Sequence, residues 1–198
     1  MLVQFSARNF KSFKDPLTLD LYTNKNETVS AIYDKCNVKV YPSAVFYGAN
    51  GSGKSNVLKA FEMMQRLVLN KDKIIQSTDT MPINQFKLAN DSENDTTAFD
   101  ICFIFQEKKY KYGFEYGIDG ERSVVYSEYL YIYETVQPTI VFEYDLDQDN
   151  GKIKITKYKE LDRIKHLENS LFLWEADRAA NEVAGNVLKW FKSALYVE

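Results

Sequence analysis

Hydrophobic residues change their spacing along the chain, and each spacing predicts a different element. Near the N-terminus, apolar residues alternate with polar ones on both sides of the stretch NFKSFKDP, residues 9–16. This alternation predicts two strands joined by a turn. The run VKVYPSAVFY then ends in an apolar stretch, which predicts a buried strand over residues 44–47.

A helical spacing follows. Apolar residues recur every three or four positions from Lys54 to Leu69, so one face of a helix over this range is apolar. The members of that face are Val57, Leu58, Phe61, Met64, Leu67 and Val68.

Between residues 97 and 158 the period becomes two, which predicts an antiparallel meander of four or five strands. The runs are FDICFIF, KYKYGFEYGI, SVVYSEYLYIYETV, TIVFEYDLD and KIKITKYKE. One face of the second run carries Tyr110, Tyr112, Phe114, Tyr116 and Ile118. The pair Asn150-Gly151 predicts a hairpin turn before the last run, because both residues tolerate positive φ. GIDGERS predicts a second turn.

The last segment returns to helical spacing and predicts one helix over residues 175–196. Its apolar positions are Ala180, Val183, Val187, Leu188, Phe191 and Leu195, interrupted only by Gly185.

Composition adds three limits. Aromatic residues make up 15% of the 198 residues, which favours β-rich packing. The net charge of −3 means that any contact with nucleic acid would need a local basic patch, for which Lys108, Lys109 and Lys111 are the best candidates. The aromatic stripes favour core packing, with stacking on single-stranded nucleic acid as the alternative.

Cysteine and histidine usage excludes several kinds of site. Cys36 and Cys102 lie far apart without metal-type spacing, so we expect reduced thiols. His166 is the one histidine, and we expect it at the surface or packed against a helix. No run resembles a signal peptide or a membrane span, so the sequence predicts a cytoplasmic protein without membrane contacts.

The strongest chemical signal is GANGSGKS, residues 48–55, which matches G-x-x-x-x-G-K-[ST] between a predicted strand and a predicted helix. Glycines in such a loop let successive N–H groups converge on phosphate oxygens, and the helix directs its positive end at the same anion. The predicted nucleotide-binding residues are Gly48, Asn50, Gly51, Ser52, Gly53, Lys54, Ser55 and Asn56.

Three of these residues have specific predicted roles, with ATP and Mg²⁺ as cofactors. Lys54 is the catalytic candidate, reaching the β- and γ-phosphates, and the Ser55 hydroxyl would coordinate Mg²⁺. The N–H of Asn56, in the first helical turn, would contact the α-phosphate. Hydrolysis also needs a carboxylate at the end of another strand and a group that orients water, and no run of four apolar residues followed by Asp-Glu occurs.

Three segments together resemble a known family. FSARNFKSF (residues 5–13), NGSGKSNVLKAF (residues 50–61) and ENSLFL through WF (residues 168–191) are similar to RecF/SMC-like ABC ATPases. They resemble most the AAA-type ATP-binding proteins of the OLD and RloA kind, found in bacterial restriction and phage-defence loci.

The resemblance implies a fold and assigns each segment of the chain to a part of it. The fold would be α/β with α+β character, the N-terminal lobe of an ABC-type P-loop NTPase with an inserted antiparallel meander. Residues 1–70 would form the P-loop core with its hairpin, residues 97–158 the insertion and residues 175–196 a helix. The Walker B strand and signature would come later in sequence, so residues 1–198 would be the N-terminal portion of an ATPase head.

In such a family, the active site is completed across a dimer of heads, and a homodimer or higher oligomer, a nuclease effector and nucleic acid are the implied partners. This chain would then bind ATP without efficient turnover. Lys11 and Ser12 would lie near the phosphates, with a solvated hairpin lysine as the alternative. The family's glutamine after the β-rich lobe has no counterpart in NSLFLWEAD, so no residue takes that role.

Two other functions remain open from the sequence. A non-catalytic interaction module could use ATP only as a switch. A small-molecule kinase is disfavoured, because it would need an Arg-rich lid after the first helix and residues 70–96 contain no arginine.

Overall fold

The computed structural model describes residues 1–23, 33–36, 38–69, 80–88, 95–148 and 151–196. Its strands are β1 (Leu2–Arg8), β2 (Leu17–Asp20), β3 (Tyr33–Lys35), β4 (Val38–Val40), β5 (Thr97–Phe105), β6 (Lys108–Asp119), β7 (Arg122–Tyr133) and β8 (Thr139–Asp145). Its helices are α1 (Lys54–Leu69), α2 (Phe172–Arg178) and α3 (Glu182–Ser193), with a 3-10 turn at Lys159–Leu161. The mixed α/β class predicted from the sequence is confirmed.

One antiparallel sheet of six strands dominates the structure, in the order β2-β1-β5-β6-β7-β8. The predicted N-terminal hairpin and the predicted meander are both present. The sequence did not predict that they join: β1 pairs with β5, with Phe5 opposite Ile101 and Ala7 opposite Phe99. This pairing makes the hairpin and the meander one continuous surface.

The meander has four strands, and the fifth predicted strand is reduced to a single bridge. Glu143 and Lys154 exchange two backbone hydrogen bonds of 2.9 and 2.7 Å. Around them, Ile153 and Ile155 are only partly buried against the core. Gly151 has φ +67° as a tight turn requires, whereas Asn150 lies outside the described residues.

The helices cover one face of the sheet. Phe61 of α1 stacks on Phe5 at 3.7 Å between ring centroids, and Trp190 of α3 stacks on Phe103 at 4.1 Å. The range predicted for α1 is confirmed. Its apolar face is confirmed too, except that Leu58 is 49% exposed while Ala60 and Met63 are buried in its place.

The opposite face carries a second, smaller cluster under the β3–β4 hairpin. Its buried members are Val3, Leu21, Val38, Val40, Cys102 and Ile104. Beyond this cluster, the face turns polar, with Lys111 3.5 Å from Asp100 in an ion pair. The two layers therefore leave the outer side of the central strands partly open.

The predicted buried strand at residues 44–47 is wrong for this structure. The segment has no regular structure, and the exposed fractions of Val45, Phe46 and Tyr47 are 70%, 44% and 89%. A buried strand needs neighbours to accept and donate its backbone hydrogen bonds. In the parts of the chain that are described, both sheets lie elsewhere, and no strand flanks this segment.

The single helix predicted over residues 175–196 is also wrong, because the chain forms two helices there. Ala180 has φ +59°, a left-handed conformation that breaks the helix. Asn181 then begins α3, its side chain accepting a hydrogen bond from the Ala184 N–H at 3.0 Å. The helical spacing of the apolar residues continues across the break, so the spacing alone does not reveal that one helix ends and another begins.

The remaining expectations concern cysteine, histidine and membranes. Cys36 and Cys102 are not joined by a disulfide. His166 packs edge-on against Tyr144 and Phe172, at 4.6 and 5.6 Å between ring centroids, which confirms the expectation of a helix-packing histidine. In the described part of the chain, no helix is long and apolar enough to cross a membrane.

Candidate nucleotide-binding site

The GANGSGKS loop lies on the surface between the exposed 44–47 segment and the start of α1. Residues 42–52 are all exposed, so a ligand can reach the loop backbone. The loop begins to curl where the Ser52 N–H donates to the Ala49 carbonyl at 3.2 Å. Helix α1 then begins at Lys54 and runs for 16 residues, which gives it a full positive end facing the loop.

Two glycines of the loop adopt conformations that other residues resist. Gly51 has φ +81° and Gly53 has φ +91°. Gly48 has no such φ, but a Cβ there would lie 2.8 Å from the Ser52 Oγ. The sequence predicted these glycines from the motif. The structure gives the physical reasons, a positive φ at Gly51 and Gly53 and the close approach of Ser52 at Gly48.

Lys54 folds its side chain back over the loop. Its Nζ donates to the Gly48 carbonyl at 2.6 Å and to the Ala49 carbonyl at 2.7 Å, with the Ser52 Oγ at 3.5 Å. The ammonium thus lies at the centre of the loop, where it would meet a phosphate held by the backbone N–H groups. A long, flexible side chain is fixed there by two carbonyls of its own loop.

Ser55 and Asn56 occupy the first turn of α1. Ser55 is exposed, so its hydroxyl is open to a metal ion. The Asn56 N–H donates to the Gly53 carbonyl at 2.8 Å, and its side chain donates to the Ser12 Oγ at 2.8 Å. The contact of Asn56 with the α-phosphate stays a prediction.

The tip of the β1–β2 hairpin forms a wall beside the loop. Ser12 and Phe13 lie next to Gly53, so that a Cβ on that glycine would be 2.8 Å from the Ser12 Oγ and 3.3 Å from the Phe13 ring. Lys11 lies in the same turn, with its N–H donating to the Asn84 carbonyl at 2.8 Å. The structure places this turn against the loop, as the resemblance implied.

The donor set fits a nucleotide with Mg²⁺ better than a metal held by protein alone. Within the described ranges, no three His, Cys, Asp or Glu side chains come close enough to hold a metal ion. Ser55 would therefore share Mg²⁺ with phosphate oxygens, as is usual for Mg²⁺ in phosphate sites. The loop's glycine geometry and the central Lys54 amine match that arrangement.

A second polar centre, absent from the sequence-based expectations, lies inside the fold. Glu128 of β7 is fully buried and accepts hydrogen bonds from the Phe172 and Leu173 N–H groups at the start of α2, and from the Tyr112 hydroxyl at 2.9 Å. Burial raises the pKa of Glu128 to about 8, although these donors favour the ionised form. In the sequence, a single glutamate in an apolar strand indicates a surface position, which is why this buried carboxyl was not predicted.

The model of a family described as "AAA domain, putative AbiEii toxin, Type IV TA system" matches residues 43–191, three quarters of the chain. The chain belongs to this family. The matched range includes the whole P-loop, the meander, α2 and α3 up to residue 191, whereas the N-terminal hairpin lies before it. Among curated proteins, none matches the chain significantly.

Membership identifies the class of site. This AAA domain is a P-loop ATPase domain of the AAA/ABC type, and nucleotide binding is the activity that its loop supports. The individual roles of Gly48, Lys54, Ser55 and the other loop residues stay predictions.

Proposed function

We propose that this protein binds Mg-ATP as the Walker A half of an ABC-type ATPase. The observation that carries the proposal is the folded P-loop of the AAA domain, with the Lys54 amine at its centre and α1 directed at the same point. Lys54 would neutralise the β- and γ-phosphates, and Ser55 would hold Mg²⁺. Gly48, Gly51 and Gly53 would bring the backbone N–H groups within reach of phosphate oxygens.

Hydrolysis, in this proposal, depends on groups outside the described residues. Support comes from the segment at residues 44–47, whose apolar side chains are exposed and whose backbone pairs with no strand among the described residues. A neighbouring strand, from a further segment or from another polypeptide, would bury this segment and bring a carboxylate next to the loop. A homodimer or higher oligomer of ATPase heads would complete the site.

The decisive experiment measures ATP binding and turnover by the chain. We expect Mg-dependent binding that Lys54→Ala weakens more than tenfold, since the variant loses the only loop side chain with a positive charge. Lys192→Ala is the control, because Lys192 is also a helix lysine, exposed on α3 and outside both the loop and the groove beside it. Turnover should stay near background. Equal ATP affinity of the original chain and Lys54→Ala, or rapid ATP turnover by the chain alone, would contradict the proposal.

The biological setting proposed is a bacterial phage-defence or DNA-maintenance system of the OLD or RloA kind, in the cytoplasm and without membrane contacts. The family description names a toxin of a type IV toxin–antitoxin system, which supports a defence role. A nuclease effector is the proposed partner. An ATP-switched interaction module is the rival function, and it predicts binding without turnover even when all partners are supplied.

Nucleic acid is a further proposed partner, and the charge distribution supports it. Residues 1–69 contain nine Lys and Arg against five Asp and Glu, although the whole chain has a net charge of −3. A groove of about 180 Å³ between the hairpin tip and α1 is lined by Phe10, Lys11, Lys59, Glu62, Met63, Arg66 and Asn84. Phosphates of a nucleic acid backbone fit such a basic groove.

The basic stretch predicted from the sequence is less available than this groove. Lys111 is paired with Asp100, and the Lys109 Nζ lies 3.8 Å from the centroid of the Tyr133 ring. The aromatic side chains of the predicted stripe, Tyr110 through Tyr116, are buried in the core rather than open for stacking. The groove beside the P-loop is therefore the better candidate.

A further inference from the structure

Ser12 joins two parts of the chain that the sequence keeps far apart. Its hydroxyl accepts a hydrogen bond of 2.8 Å from the Asn56 side chain across 44 residues. The same hydroxyl oxygen lies 2.8 Å from the position that a Cβ on Gly53 would take. One serine of the hairpin tip thus contacts the last glycine of the P-loop and the first turn of α1.

The hairpin tip is held firmly to the sheet. Phe10 and Phe13 exchange backbone hydrogen bonds of 2.8 and 2.9 Å around Lys11 and Ser12. The Phe10 ring is fully buried and meets the Phe99 ring of β5 edge-on at 5.7 Å. Ser12 therefore lies in a tight turn that Phe10 and Phe13 anchor to the sheet.

The P-loop has much less support of its own. Its residues up to Ser52 are exposed, and the hydrogen bonds of Lys54 and Ser52 end on the loop's own atoms. The contact with Ser12 therefore connects the loop to the hairpin tip, which is itself anchored to the sheet. A loop so held keeps Gly53 and the N–H groups of the first helical turn in one position.

We propose that Ser12 and Asn56 are positioning residues that hold the P-loop in its phosphate-binding geometry through their mutual hydrogen bond. This inference rests on the proposed nucleotide binding. The pair acts through its side chains: the Asn56 side-chain amide donates to the Ser12 hydroxyl, whereas the contact predicted with the α-phosphate belongs to the Asn56 backbone N–H. The consequence is that the antiparallel sheet and the bound nucleotide influence each other through this contact.

A double-mutant cycle tests the pair in the full chain, with Mg-ATP affinity as the measurement. Ser12→Ala and Asn56→Ala should each weaken binding roughly two- to tenfold, the range expected for one lost hydrogen bond. The double variant should bind no more weakly than the worse single variant, since both remove the same interaction. Losses that multiply, or affinities equal to the original, would overturn the proposal.

Two variants of similar shape separate the hydroxyl from mere packing. Ser12→Thr keeps the acceptor and should keep the affinity, whereas Ser12→Val lacks it and should bind like Ser12→Ala. Thr18→Val is the control elsewhere in the same hairpin, where it removes the hydrogen bond from Thr18 to the Ser6 Oγ at 3.2 Å. Thr18→Val should leave the affinity unchanged. If it lowered the affinity as much as Ser12→Val does, the effect of Ser12 would come from hairpin stability alone.

The same measurements test the positioning pair separately from the proposed nucleotide binding. Binding that Lys54→Ala abolishes but Ser12→Ala leaves intact overturns the positioning pair and preserves the proposed function. A chain that binds no Mg-ATP at all overturns both.

Discussion

Single residues decide how the open face of the sheet is built. Tyr129 lies flat across β6, because Gly113 opposite it has no side chain, and it stacks on Tyr131 at 5.0 Å. A Cβ at Gly113 would lie 2.5 Å from the Tyr129 hydroxyl oxygen and 3.0 Å from the Phe99 carbonyl oxygen. The second of these neighbours is backbone and has little freedom to move.

Gly113→Ala should therefore destabilise the fold by about 1–3 kcal/mol, the usual cost of forcing an extra methyl group into a packed site. Gly185→Ala in α3 is the contrasting variant, since its Cβ would meet only the Asp177 Oδ1 at 3.3 Å. There the gain in helix propensity, about 0.5–1 kcal/mol, should win. Urea unfolding measures both, and a stabilised Gly113→Ala protein would contradict the packing argument.

Glu128 makes stability depend on pH. Its folded pKa of about 8 lies above that of a glutamate in an unfolded chain, near 4.5, because burial disfavours the charge. The folded state therefore holds the proton that the unfolded state releases between these values. Its stabilising contribution is complete below pH 4.5 and is lost as the pH rises towards 8.

We expect the free energy of unfolding to fall from pH 5 to pH 8, and to fall less in the Glu128→Gln variant. The amide cannot ionise, although it can still accept from the N–H groups of α2. Urea unfolding at the two pH values gives the comparison. The same pH dependence in both proteins would show that Glu128 keeps its charge in the folded state.

At the scale of elements, the boundaries come from side chains that bond to backbone. Asn181 satisfies the Ala184 N–H at the start of α3 and donates to the Glu160 carboxylate at 3.0 Å. Trp174 of α2 donates from its indole to the Val68 carbonyl at the end of α1, at 2.8 Å. These contacts, rather than periodicity, separate the helices and fix where they end.

Asn181→Ala should lower the free energy of unfolding by about 1–2 kcal/mol, through loss of the helix cap and of its partner on Glu160. Asn181→Asp keeps the capping oxygen but puts a negative charge beside Glu160. It should fall between the original protein and the alanine variant. Chemical unfolding of the three proteins at neutral pH measures this order, and an unchanged alanine variant would mean that the cap contributes little.

At the scale of the whole molecule, charge and exposure are unevenly distributed. The P-loop side carries Lys11, Lys54, Lys59 and Arg66, the exposed apolar segment at residues 44–47 and the groove between the hairpin tip and α1. The far side of the sheet carries paired ions instead. Partners proposed for this protein would therefore meet it on the side of the P-loop.

The proposed contact with nucleic acid predicts a change in salt dependence. If Lys59 and Arg66 each neutralise one phosphate, replacing both by Ala should lower the slope of log affinity against log salt by about 2. The double replacement of Lys189 and Lys192, exposed on α3, should leave the slope unchanged. Fluorescence anisotropy with a labelled duplex at several salt concentrations gives both slopes. Equal slopes would remove the groove as the binding surface.

The sequence by itself determined the elements whose causes are local. The P-loop glycines, the range of α1 and the alternation of β5 to β8 follow from residue types and spacing, because backbone freedom and burial of one face act within a few positions. The hairpin around residues 9–16 was predicted for the same reason. Such local elements can be predicted from the sequence without knowing the tertiary structure.

Only the tertiary structure decided the features that depend on distant partners. The state of residues 44–47 was predicted wrongly, because a strand exists only where another strand completes its hydrogen bonds. The pairing of β1 with β5, the burial of Glu128 and the bond from Asn56 to Ser12 also join positions far apart in sequence. The sequence shows which groups could bind a phosphate, whereas the fold decides what holds those groups in place.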